Sequence, residues 1–423
     1  MTAPSRRFSR SHGFTAVAAA AALLLSGCTA ADSAPPPAQG PLLGVATGTA
    51  EETNALITRA AEQHAENHAL QSLLAQVRVD GQVVSTVVLG DALAGVPLTE
   101  DGRFRNGAVA IMYVAATMLS MAEEGLIDID APIAAHTPDL PFADTITPRM
   151  LASMTSGIPD HVADADFIAA FNADPFVQYS SDDILAISAR TPHVFEPGTN
   201  WDYSHAGYFV LGQVLEQAGG APLDELIAQH VLEPLELTET GNSATAEIPS
   251  PVVHAFSAER GVWEDSTYWN PSWTLPPGAV QTTTIGDMAA SFEEVIGQGS
   301  LLSDASLKDM LTPPPSGFGA PLEGCRSCHT LTPEFNYGLG VFLENDWVFQ
   351  TPLFGGYFSA VATLPSQRNG GHSVTIAVAA TGTEATYADW SATLPNWSTQ
   401  LVKELGATLV PNNAPPEFTS PSV

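Results

Sequence analysis

The amino-acid sequence predicts an α+β fold: one antiparallel sheet formed from both chain ends, flanked by helices, with a large helical insertion. Three observations lead there. Strand-like alternation follows a helical stretch near the start, β-rich runs return in hairpin order near the end, and the long region between them holds helical patterns broken by Pro, Asp and Gly. No internal repeat is visible. With 423 residues, 45% of them hydrophobic, the chain is long enough to bury a large core.

The first residues read as an address. Arg6, Arg7 and Arg10 precede an apolar run from Phe14 to Leu25, which closes with Leu25-Ser26-Gly27-Cys28. This resembles the signal peptide and lipobox of bacterial lipoproteins, in which the cysteine is diacylated and becomes the new N-terminus. The run is too short to anchor as a helix, so lipidation of Cys28 is expected over an ordinary cleavage site with an incidental cysteine. Residues 1–28 are therefore the expected signal, and the mature protein is expected to be exported and lipid-anchored to the outer face of the bacterial cell membrane. Ser5-Arg6-Arg7-Phe8 hints at twin-arginine export without the usual spacing, and Sec export stays open. Residues 29–48, with Pro35-Pro36-Pro37, read as a flexible tether.

A single domain is expected over 49–410. Glu51 to Leu73 has apolar residues at helical spacing, and Leu74 to Gly90 alternates around Asp80-Gly81, a strong hairpin signal. The helical insertion is expected over about 105–280. Leu339 to Leu343, Trp347 to Gln350, Tyr357 to Leu364 and Val374 to Ala380 read as strands, and Tyr387 to Leu405 as a closing amphipathic helix. Residues 411–423 read as a flexible tail.

The net charge of −32, with Lys308 and Lys403 the only lysines, excludes nucleic-acid binding and attachment to anionic membrane through a basic surface. The acidic residues are spread along the chain, as expected of a solvated surface.

One stretch stands out. FRNGAVAIMYVAATMLSMAEEG, from Phe104 to Gly125, carries almost no charge between Arg105 and Glu123, and LIDIDAPI follows at once. A helix apolar on every side has no solvent face and must be buried. From Ala108 to Met121 it is too short to cross a bilayer comfortably, so it is expected to be a central core helix.

This stretch and three others together resemble the serine β-lactamase and D-alanyl-D-alanine carboxypeptidase family. The apolar helix and its LIDIDAPI sequel resemble the family's nucleophile helix. ITPRMLASMTSGIPDH resembles the following helix and its Thr-Ser-Gly-Leu-Pro loop. FEPGTNWDYSHAGYFVLGQVLEQAGG resembles the stretch that holds Tyr-x-Asn, and NPSWTLPPGAVQTTTIGDMAASFEEVIGQGSLLS the later Gly-rich loop and helix. The likeness covers roughly Asn54 to Leu405 and implies the family's fold.

The family's chemistry does not follow. There, a serine attacks a carbonyl and the lysine three residues later, on the same helix face, takes its proton. The resemblance puts the serine position at Ala108 and the lysine position at Ile111. Neither side chain can do that work. A shifted motif is excluded, since Ala305 precedes Lys308 by three residues and Gln400 precedes Lys403 by three. The second motif becomes Tyr203-Ser204-His205, with histidine where asparagine is usual. The third, usually a cation followed by Thr/Ser-Gly, falls at Gln350-Thr351-Pro352; its cation is gone and Pro352 has no backbone N–H to donate. No intact catalytic residue is expected, Ala108, Ile111, Tyr203, His205 and Gln350 being vestigial cleft positions.

Two further patterns stand out. Cys325-Arg326-Ser327-Cys328-His329 matches c-type haem attachment, yet the rest of the chain lacks a small helical domain to wrap a haem. A local Cys325–Cys328 disulfide is the favoured reading, since with Cys28 lipidated these are the remaining thiols. His64 and His68 share a helix face at i and i+4, as a zinc site requires, but no third ligand is evident and a solvated face is expected. No cofactor or metal is expected. The functional expectation is an envelope lipoprotein that binds a peptidoglycan-derived peptide or an envelope protein without turnover; a divergent hydrolase acting through other residues is the alternative.

Overall fold

The computed structural model describes residues 49–242, 244–387 and 396–417. The expected signal, Cys28 and the tether lie outside them. Among the described residues no helix is long and apolar enough to cross a membrane.

A helix over Ala50–Asn67 opens the domain, capped by Thr49 and Glu52 in a reciprocal box. It ends before the sequence pattern suggested, because Leu70–Val79 is already the first strand of a hairpin with Gln82–Leu93. The turn is Asp80-Gly81, both at positive φ as a tight hairpin demands. Late in the chain, Trp347–Gln350, Tyr357–Leu364 and Val374–Gly382 form the strands expected there.

These strands make one antiparallel sheet in which the first long strand, Leu70–Val79, lies between its hairpin partner and Val374–Gly382. Leu74 is opposite Ala379, and Val361 is opposite Ala377. The sheet is therefore formed from both chain ends. Because side chains alternate across a strand, Leu74, Val361, Ala377 and Ala379 face the helical insertion. Leu73, Val77, Ile376 and Val378 face the first helix and the closing helix Trp397–Leu409.

Residues 388–395 lie outside the described set, so only the latter part of the expected closing helix is seen; Tyr387 itself ends a short 3-10 turn. Beyond the closing helix the chain is docked rather than free. Trp347 Nε1 donates to the Asn413 carbonyl at 2.8 Å, and the Pro415 ring packs at Gly406. Residues 418–423 lie outside the described set.

The apolar helix runs over Val109–Glu123 at the centre of the insertion. Twelve of its side chains are buried, from Val109 to Met121, so it has no solvent face along most of its length. The expected solvated face of His64 and His68 is corrected in part. His64 is buried, its Nε2 pairs with the Trp397 carbonyl at 2.9 Å, and His68 stacks on the Trp397 ring at 3.9 Å.

Candidate functional site

Short strands aim the start of the central helix. Phe104–Arg105 pairs with Gln281–Thr283, and Gly107, at φ +50°, turns the chain into the helix, whose first N–H groups are held by the Asn106 and Gly107 carbonyls. Ala108 is the N-cap and its side chain caps nothing. One turn on, Ile111 is fully buried in the main core. A neutral side chain suits that place, where a lysine charge would be costly.

The segment Gly338–Val341 presses on this turn. A Cβ on Gly340 would fall 2.9 Å from the Ile111 carbonyl oxygen and 2.7 Å from Ala115 Cβ. Gln350, fully buried at the end of its strand, donates from Nε2 to the Gly340 carbonyl at 2.8 Å. Where the family resemblance places a cation, this chain has an amide that ties down a loop. Next along the chain, the Asn396 amide donates to the carbonyls of Thr351, Pro352 and Ser359.

Tyr203 and His205 stand at the entrance to the helix His205–Gly219, whose N-cap Ser204 accepts from Gly207 N–H. The Tyr203 ring lies parallel to Phe342 at 6.0 Å and edge-on to His205 at 5.1 Å. Burial, and then the charge of Asp160, push its phenol well above the usual range, so it stays protonated. Among the described residues no cation lowers it.

His205 has a partner that sequence reasoning missed. Its Nδ1–H donates to Asp160 Oδ2 at 3.0 Å, and its backbone N–H to Asp160 Oδ1 at 3.3 Å, which leaves Nε2 of the neutral ring as an acceptor. Burial would raise Asp160, but the neighbouring His205, His161 and the Val162 N–H together outweigh it and the carboxyl titrates below its usual range. Beside them, burial pushes His161 down to about 4, and its Nε2 pairs with the Trp273 carbonyl at 3.0 Å.

The late cysteines are bonded to each other, as expected, and sit beside the same segment. Ser327, between them, accepts from Tyr203 N–H at 2.8 Å and donates its hydroxyl proton to Asp202 Oδ1. Asp202 was not singled out in the sequence either. Of the two lysines, Lys308 belongs to the helix Asp304–Met310, and Lys403 pairs with Glu344 at 2.5 Å.

The fold matches solved hydrolases. A D-stereospecific amidohydrolase from Streptomyces sp. superposes with a TM-score of 0.64 at 24% identity, over 80% of this chain and 99% of that one. D-amino acid amidase from Ochrobactrum anthropi SV3 gives 0.66 at 19% identity, over 85% and 99% of the two chains. At such identities the likeness shows the fold. In sequence, PbpX of Bacillus subtilis (strain 168), named as a penicillin-binding protein, is 27% identical over 57% of this chain, and esterase EstB of Burkholderia gladioli is 30% identical over 36%. The matched region spans 58% of PbpX and 42% of EstB. The family model for Beta-lactamase matches residues 57–393, and the chain belongs to that family.

Proposed function

We propose that this chain is a non-catalytic binding protein of the cell envelope, held to the membrane by a lipid on Cys28, that seats a peptidoglycan-derived peptide or an envelope protein at the cleft of a β-lactamase-like fold. The observation that carries the reading is the first turn of the central helix. Ala108 has no attacking atom, and Ile111, sealed in the core, has no base to offer. The polar groups that remain support it: Tyr203 is an unactivated phenol, and Gln350 is spent on the Gly340 carbonyl. Muropeptides should raise the melting temperature of the purified protein in proportion to the logarithm of their concentration above Kd. No shift with any muropeptide removes the peptide as the ligand.

The Asp160–His205 pair favours a second reading, a hydrolase in which His205 Nε2 draws a proton from water. The names of relatives and neighbours, esterase and amidohydrolase, agree with it. A screen of ester, amide and β-lactam substrates decides between the two. Turnover that disappears in His205→Gln establishes the hydrolase, and no turnover with any class leaves the binding protein.

A further inference from the structure

The Cys-x-x-Cys segment takes no part in the cleft reading, and its surroundings carry a chemistry of their own. We propose that the Cys325–Cys328 disulfide is a thiol-exchange site: an unhindered external thiol attacks Cys325, Cys328 is the buried leaving sulfur, and Asp202 passes a proton to and from Cys328.

The two sulfurs are unequal. Cys325 is partly exposed, whereas Cys328 is 8% exposed. The backbone N–H of Cys328 donates to Cys325 Sγ at 3.1 Å, a contact that favours the thiolate form of the accessible cysteine. A carboxylate oxygen of Asp202 and both sulfurs all lie within 4.8 Å of one another. That carboxylate is itself buried and held in place by the Ser327 hydroxyl, whose oxygen is fixed in turn by Tyr203 N–H. A bond that serves only to close a loop has no use for a buried acid at its sulfurs. Cross-linking residues three apart also removes little chain entropy, so stability alone gives it a small role.

The steps balance. An external thiolate attacks Cys325 Sγ, the S–S bond breaks with its electron pair on Cys328 Sγ, and the Asp202 carboxylic acid protonates that sulfur. A second external thiolate then attacks the external sulfur of the mixed disulfide. Cys325 leaves as a thiolate beside the Cys328 N–H and takes its proton from solvent. Two thiols are oxidised to one disulfide, and the protein disulfide is reduced to two thiols. In reverse, the Asp202 carboxylate deprotonates Cys328, which attacks the mixed disulfide at Cys325. Burial raises Asp202 to about 6, with the charge of Asp160 adding and the Ser327 hydrogen bond opposing, so both of its forms are present near neutral pH. Asp160, paired with His205, is the charged group that acts on it.

The full chain carrying Cys328→Ser should form a mixed disulfide with glutathione disulfide, read by intact mass, about tenfold faster at pH 7 than the chain carrying Cys325→Ser. Equal rates overturn the proposal. So does a folded wild-type disulfide that dithiothreitol reduces only after guanidinium is added. In wild type, the rate of re-forming the disulfide from the mixed disulfide should rise through about pH 6, and Asp202→Asn should abolish that inflection. Ser327→Ala removes a bond that favours the carboxylate, so its inflection should move upward. An inflection that stays in place in Ser327→Ala removes Asp202 from the mechanism, whether or not Asp202→Asn folds.

Discussion

The ring of Pro352 lies against the α-carbon of Gly107: a Cβ built on the glycine would fall 2.6 Å from Pro352 Cβ, and the glycine itself sits at φ +50°. Gln350-Thr351-Pro352, where the family resemblance places the third motif, thus closes onto the residue just before Ala108. Gly107→Ala should destabilise the protein by about 2–4 kcal/mol, roughly 1–2 from the left-handed backbone and the rest from overpacking. Adding Pro352→Gly should restore the packing part, because the clash partner is gone. A double-mutant cycle by urea denaturation measures this, and additive effects would show that the contact is unimportant.

Fluorescent penicillin should leave both wild type and Ala108→Ser unlabelled, since an unactivated hydroxyl stays protonated. Ala108→Ser with Ile111→Lys places a serine and a lysine three residues apart where the family resemblance puts its motif, the lysine at a fully buried position. This double variant should lose several kcal/mol from the buried charge and acylate slowly in the molecules that stay folded by circular dichroism. A covalent adduct on wild type within the cleft overturns the non-catalytic reading.

Stability should fall on mild acidification. Burial lowers His64 and His161 from 6.5 to about 4, so between those values the unfolded chain binds protons that the folded chain refuses. Their contribution is therefore complete above pH 6.5 and shrinks as the pH drops toward 4. Urea midpoints measured from pH 7.5 to 4.5 should decline, and His161→Gln should flatten part of the slope. The glutamine amide can still donate to the Trp273 carbonyl at neutral pH.

Cys28→Ala should release the protein from the membrane fraction and abolish palmitate labelling, because a proline-rich tether has no membrane affinity of its own. Labelling that persists in this variant removes the lipid-anchor proposal.

Some of this molecule was legible in its sequence and some was not. The central helix was, since a run apolar on every face has one home in a globular protein. The hairpin was, through Asp80-Gly81, and Trp347–Gln350 and Tyr357–Leu364 appear with the bounds their β-rich composition suggested. Phe104–Arg105 and Gln281–Thr283 were not, because two or three residues carry no periodicity. Asp160 and Asp202 were hidden among 46 acidic residues. Their meaning lies in partners 45 and 125 residues away, His205 and Ser327. In sequence His64 reads as part of a solvated face for the same reason, its carbonyl partner on Trp397 being 333 residues distant.

Placing the strand Leu70–Val79 beside Val374–Gly382 sets the order of events in time as well as in space. A ribosome delivers the first of these strands long before the second, so the hairpin Leu70–Leu93 must wait with one edge unpaired while the insertion emerges. Closing so long a loop makes the sheet the slow step, and its raw edge is open to wrong partners in the meantime. Folding of this chain is thus gated by the segment from Val374 onward, and a nascent chain stopped before Val374 is a substrate for chaperones or proteases, lacking a central strand.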